Sequence, residues 1–339
     1  MVRPQMGDAP KGGPSEASGS TSDLPGNTRA RYPDRQDDRE ETTTSADVVC
    51  VGEALWDLST SPGTSLDDAT QLSLTPGGGA VNVALTLAQL GLRAGLVASV
   101  GDDPVGHALV AHLSRRGVDV SRVRAVKSTR TGLVFLTHAP PRAVAYRAVL
   151  EEALALRDAL PHAFGASVVH FSGLLPSRAC LLALERAARQ AQREGALVTI
   201  DANLRPRLWA GDALGRADPR RLFAAASVLK VSEDDLRLLG VSDPRDLAPL
   251  LRPEAIVVAT FGAAETRALG PFGEVRAGGP ALAVASTFGA GDAFVAGLLS
   301  VLAREGRTAL QDRAAIERAI QRGNEVARTS LLEKSSGVK

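Results

Sequence analysis

Three groups of residues in this chain have the types and spacing that chemistry needs. Thr287-Phe288-Gly289-Ala290-Gly291-Asp292 runs directly into the apolar stretch Ala293-Phe294-Val295-Ala296-Gly297-Leu298. A glycine-rich turn that opens a helix leaves backbone N–H groups unpaired and unshielded, which makes an anion site. Asp292 stands at the start of that helix, where an aspartate also serves as a plain N-cap. Gly77 and Gly78 precede a second helical pattern that carries Asn82. The glycines permit a tight turn or a close ligand approach, and the Asn82 amide both donates and accepts. Asp57 follows the first apolar run and is expected just past its C-terminal end, the edge where open α/β sheets bind ligands.

Other signatures are missing. The chain has no G-x-x-x-x-G-K-[ST], no H-E-x-x-H and no G-x-S-x-G. Pro76-Gly77-Gly78-Gly79 lacks the G-x-G-x-x-G spacing, and no clear strand pattern runs into it, so a dinucleotide loop is not expected. His107, His112, His138, His162 and His170 show no metal spacing, and Cys50 and Cys180 read as two buried thiols.

The elements that must position these groups are legible in the hydropathy pattern. Short apolar runs recur at Val48–Val51, Leu96–Val100, Val168–Phe171, Leu197–Ile200, Val228–Val231 and Ile256–Ala259. Helical patterns lie between them, closed by Gly91, Gly117 and Gly195. Strands alternating with helices predict a parallel sheet covered on both faces. Gln71–Leu74 and Thr131–Arg147 break the rhythm and read as antiparallel strands of a small lid over one edge.

Composition narrows the function. The chain has 339 residues with 39 Lys+Arg against 38 Asp+Glu, a balance that excludes a chain-wide nucleic-acid footprint. Aromatic residues are 4%, too few for stacking platforms. No apolar run reaches the ~18 residues that span a bilayer. Residues 1–46 hold few sizeable apolar groups and are predicted to be a disordered tail, leaving 47–339 as the folded domain. The tail lacks the apolar stretch of a secretory signal and is rich in acids, so a cytoplasmic location is expected.

Together the two glycine-rich segments resemble the paired signatures of the PfkB/ribokinase family of small-molecule kinases. Intermediate landmarks extend the resemblance over most of the chain: Val51-Gly52-Glu53-Ala54-Leu55-x-Asp57, Val100-Gly101-x-Asp103-x-x-Gly106, Asp201-x-Asn203-x-Arg205 with Trp209, Lys230, and Thr260-x-Gly262. The resemblance implies a ribokinase-like three-layer α/β/α sandwich with a small β-sheet lid, formed from about 58–76 and 128–150. It implies ATP-dependent phosphorylation of a sugar, with Mg2+ bridging the ATP phosphates. Asp292 matches the catalytic base, and Gly289, Ala290 and Gly291 match the anion hole. Asp57, Gly77, Gly78 and Asn82 match the sugar site. Arg147 and Arg205 would suit a substrate carboxylate. Asn203, Lys230, Thr260, Gly262 and Asn324 match the nucleotide side, and Asp235 keeps a carboxylate for a water network around Mg2+. The lid of this family also serves as a homodimer contact.

Three positions depart from the family pattern. Ser286 stands where the family carries an aspartate that shapes a monovalent-cation site, so potassium activation is not expected. Asp235 replaces a glutamate. Glu265 replaces a glycine and would be strained if that position needs a positive φ. The motif pairs resemble fructokinases most, and 2-keto-3-deoxygluconate kinases next. Ser286 and Glu265 also motivate a competing reading, a non-catalytic sugar sensor.

Overall fold

The computed structural model describes residues 46–127, 129–138, 141–146, 155–172, 178–204, 218–262, 264–278 and 288–336. Its main sheet has nine strands: β1 (Ala46–Val51), β4 (Ala94–Gly101), β5 (Val123–Val126), β8 (Ala166–Phe171), β9 (Leu197–Asp201), β10 (Val228–Ser232), β11 (Ile256–Phe261), β12 (Glu265–Gly270) and β13 (Gly273–Ala277). Their order is β13-β12-β11-β10-β9-β8-β1-β4-β5, parallel from β11 to β5, with an antiparallel hairpin, β12–β13, at one edge. Ala46, assigned to the tail by composition, is the first residue of β1 and pairs with Ala166.

The strands read as continuous apolar runs because both faces are covered. Val48 and Cys50 of β1 join one core, while Val49 and Val51 join the other. The first core includes α1 (Gly79–Gln89), α2 (Pro104–Arg115), α6 (Ala290–Glu305) and α7 (Arg313–Ser336). The second includes α3 (Arg178–Arg193), α4 (Arg220–Phe223) and α5 (Glu233–Leu239). From β1 the chain builds outward to β4 and β5 on one side and, through β8, to β9, β10 and β11 on the other. The strand order therefore reverses between β1 and β8, and the crevice beyond their C-terminal ends is where such sheets bind ligands.

The lid is a second sheet of four strands, ordered β3-β2-β6-β7: β2 (Leu55–Ser59), β3 (Ser73–Gly77), β6 (Gly132–His138) and β7 (Pro141–Tyr146). Two expectations are corrected here. Asp57 does not sit in a turn after β1; it lies in the middle of β2, a lid strand paired with β3 and, in parallel, with β6. A strand does run into Pro76-Gly77, because β3 leads directly to α1.

Helix α2 ties both inner lid strands to the core. The Trp56 indole N–H donates to the Val105 carbonyl at 3.0 Å, and its ring meets His112 edge-on at 5.7 Å. Asp103 is the N-cap of α2, accepting from the Gly106 N–H at 2.8 Å. The same carboxylate accepts from the Thr131 N–H at 3.0 Å and from its hydroxyl at 2.8 Å, just before β6. Burial alone would raise the Asp103 carboxyl; the bonds from Thr131 and Gly106 outweigh it and hold it below the usual range. The landmark Val100-Gly101-x-Asp103-x-x-Gly106 is thus a clamp between core and lid.

Candidate active site

Two helix N-termini converge at the crevice. Gly289 takes a left-handed φ of 78° and caps α6 without a side-chain bond, so the first N–H groups of that helix have no side-chain partner from the cap. Asp292 lies in this first turn, and its Oδ2 accepts from the Asn82 side-chain amide at 2.8 Å. Asn82 comes from the first turn of α1, which starts after Gly78 at φ 100°. A Cβ placed on Gly79 would stand 3.3 Å from Asp292 Oδ1 and 2.3 Å from Ser172 Oγ, so the bare backbone lets α1 approach both. The arrangement presents a carboxylate between two positive helix poles, suited to accepting a proton beside a bound anion.

Asp57 packs against the turn that leads into α1. A Cβ on Gly77 would lie 2.5 Å from its carboxylate, so glycine is what allows the side chain to fold across β3. The resulting floor, Asp57 with Gly77, Gly78 and Asn82, offers acceptors and donors for a polyhydroxyl ligand.

Beneath the start of α6 the sheet carries a buried polar row. Lys230 of β10 pairs with Asp201 of β9 at 3.2 Å. His170 Nδ1 meets the Thr199 hydroxyl at 2.9 Å, while its Nε2 is buried with no partner among the described residues. Burial, with the nearby Lys230 charge, pushes His170 down to about 3, so the ring is neutral at pH 7. Ser172 escapes a reading of sequence alone, and Asp201 enters it only as a landmark without a role. The signal for Asp201 was an acid closing an apolar strand next to another apolar strand that holds a lysine.

Of the other residues expected on the nucleotide side, Asn203 follows β9 at φ 39°. Thr260 lies on β11, Gly262 follows that strand at φ 57°, and the Asn324 amide oxygen accepts from the Thr266 hydroxyl of β12 at 2.9 Å. Glu265 is not strained: it is the first residue of β12 and does not adopt a positive φ. Asp235, the carboxylate expected to serve a water network around Mg2+, lies in the first turn of α5. It is 3% exposed, closes a capping box with Ser232 at the start of α5, and accepts from the Leu204 N–H at 2.7 Å. No group of three or more His, Cys, Asp or Glu that could hold a metal occurs among the described residues. Arg147, Arg205, Trp209, Ser286 and Thr287 lie outside the described residues. A separate cavity of about 430 Å³ between Gly165, Glu194, Leu302 and Arg307 sits at the N-terminal ends of β8 and β9, away from Asp292.

Residues 45–338 match the pfkB family carbohydrate kinase profile. The chain belongs to that family. As a pfkB carbohydrate kinase it is 32% identical over 307 residues to fructokinase-1 of Oryza sativa subsp. japonica, covering 85% of this chain and 93% of the rice protein. Among solved structures it is similar to aminoimidazole riboside kinase from Salmonella enterica complexed with aminoimidazole riboside and an ATP analogue. That match has a TM-score of 0.68 and 26% identity, over 84% of this chain and 93% of the other. A fructokinase double mutant from Vibrio cholerae O395, in a fructose-, ADP- and potassium-bound form, shares the fold. Its TM-score is 0.71 at 24% identity, over 87% of this chain and 94% of the other. The kinase thus has a ribokinase-like α/β fold. No helix among the described residues is long and apolar enough to cross a membrane.

Proposed function

We propose that this carbohydrate kinase transfers the γ-phosphoryl group of ATP to a hydroxyl of fructose. The observation that carries the reading is Asp292, held by Asn82 at 2.8 Å in the first turn of α6. The acceptor hydroxyl gives its proton to the Asp292 carboxylate as its oxygen attacks phosphorus. The N–H groups of Ala290 and Gly291, with the α6 dipole, hold the phosphoryl oxygens as charge redistributes in the transition state. Asp57 and the Gly77–Gly78 floor orient the sugar. Mg2+ fits as a companion of the ATP phosphates rather than as an ion in a protein cage, and its chemistry is to neutralise phosphate charge.

A coupled ADP-release screen over ketohexoses, aldohexoses, ribose, 2-keto-3-deoxygluconate, and nucleosides including aminoimidazole riboside tests the assignment. Fructose is expected to give the highest kcat/KM. A higher value for 2-keto-3-deoxygluconate would replace it, with Arg147 and Arg205 as the carboxylate partners. Turnover of none would favour the sensor reading. The unstrained Glu265 removes one motive for that reading.

Asp57→Ala is expected to raise the sugar KM by roughly 10-fold or more, the cost of losing hydrogen bonds to a charged group, with a smaller change in kcat. An unchanged KM would remove Asp57 from the sugar site. Ser286 lacks the charge expected to shape a monovalent-cation site. Replacing choline chloride by potassium chloride is therefore expected to leave the rate nearly unchanged, and a strong activation would contradict that. A homodimer formed through the lid, and a cytoplasmic location, complete the reading.

A further inference from the structure

The chain contains 34 arginines and 5 lysines, yet the cation buried against the first turn of α6 is a lysine, while the buried Arg267 lies on the edge hairpin of the sheet. Lys230 and Asp201 face each other in register on β10 and β9. Only 6% of Lys230 and 2% of Asp201 is exposed, and the carboxylate oxygens lie 3.2 and 3.5 Å from Nζ. A Cβ on Gly291 would stand 3.5 Å from Nζ, so the ammonium lies against the first turn of α6.

Charged and titratable groups face Lys230 from four elements: Asp201 on β9, Asp235 on α5, Asp292 on α6 and His170 on β8. Asp235 is engaged by Ser232 and Leu204, Asp292 is bound by Asn82, and His170 is neutral at pH 7. Asp201 is the carboxylate in direct contact with the ammonium among the described residues. Stability is a poor reason for this pair, because a buried ion pair gains little over apolar residues of the same shape.

We propose that Asp201 is a positioning residue for the phosphoryl site, fixing the Lys230 ammonium beneath Gly291, where it joins the α6 N–H groups in holding phosphate oxygens. The inference rests on the kinase reading of α6. An ammonium has three donors, and one carboxylate leaves part of that capacity for an incoming oxygen. A compact point charge suits the space under a helix turn better than a planar guanidinium fork. Burial alone would lower Lys230; the attraction of Asp201, Asp235 and Asp292 outweighs it, and the group stays charged above the ordinary lysine range. Asp201 thereby sets the pH up to which the phosphoryl site keeps its positive charge.

The test compares the full chain with Asp201→Asn, using ¹³C-labelled lysine, whose 5 residues give a countable spectrum, with the Lys230 signal assigned through Lys230→Arg. In the wild type the Lys230 signal is expected to shift on adding ADP or inorganic phosphate and to resist titration to high pH. In Asp201→Asn it is expected to titrate roughly one to three pH units lower. ADP affinity, read by calorimetry, should then fall by roughly 10-fold or more between neutral and alkaline pH in the variant only. The alkaline limb of kcat should move with it, with the fructose KM unchanged. A folded Asp201→Asn with wild-type lysine titration and pH profile would overturn the proposal. So would a wild-type Lys230 signal indifferent to both ADP and phosphate, a result that needs no variant to fold. If the wild type phosphorylates no sugar while Lys230 behaves as expected, the kinase reading fails and the Asp201–Lys230 assignment stands.

Discussion

Asp292→Asn is expected to lower kcat on the best sugar by about 10²–10⁴-fold, the usual worth of a positioned general base. Asparagine keeps the size of the side chain and can still accept from the Asn82 amide, so the helix start and its N–H groups survive. It cannot take the proton of the attacking hydroxyl. Nucleotide binding should therefore persist while turnover collapses, a split that separates loss of chemistry from loss of the site. Steady-state ADP release with fructose, beside calorimetric ADP binding, gives both quantities. A variant with near wild-type kcat would show that Asp292 is not the base. A variant that also loses ADP would show that the carboxylate holds the site together instead.

Gly297→Val is expected to destabilise the fold by roughly 3 kcal/mol or more, at or above the upper end for overpacking a rigid contact. A Cβ at Gly297 would stand 2.6 Å from the Arg322 carbonyl oxygen and 2.8 Å from the Gly323 Cα. Both are helix backbone and cannot swing aside. Gly323 is tight in return, since a Cβ there would lie 2.7 Å from the Phe294 ring. Helices α6 and α7 therefore cross backbone to backbone, and a branched side chain must drive them apart. For a domain of this class the cost corresponds to a fall of roughly 6–12 °C in melting temperature, or to loss of soluble protein. Asp292 lies about a turn and a half before Gly297 on the same helix. A surviving variant should therefore also lose activity through a displaced base. An unchanged melting temperature would mean that the two helices accommodate the side chain by sliding.

The central strands were legible because each is a short apolar run buried on both faces, and helices α1, α2 and α3 because each ends in a left-handed glycine: Gly91, Gly117 and Gly195 all take positive φ. Other strands were hidden for stated physical causes. β2 is five residues long with Asp57 at its centre, and its pairing to β6 spans most of a hundred residues, which no local pattern reports. β12 and β13 carry Arg267, Glu274 and Arg276 on strands that pair with each other. Arg267 and Arg276 both reach Glu274 at 2.8 Å, so charges sit where an apolar run would have signalled a strand. The residues with a local signature, the Gly289–Asp292 turn, Gly77-Gly78 and Asn82, are brought together in the fold. That Asp235, three residues into its helix, also closes a capping box with Ser232 was not read from the sequence. Asp201 stood in a landmark motif without a role because its meaning is set by register across two strands, 29 residues from its partner.

The bond between Asn82 and Asp292 closes a loop of 210 residues. During synthesis at about 5–20 residues per second, that interval lasts roughly 10–40 s. Asp57, Gly77, Gly78 and Asn82 leave the ribosome first, whereas the α6 turn and Asp292 arrive together near the end. The residue proposed as the base is therefore added to the chain only after every residue proposed for the sugar floor, and the Asn82–Asp292 bond forms among the last long-range contacts of the fold.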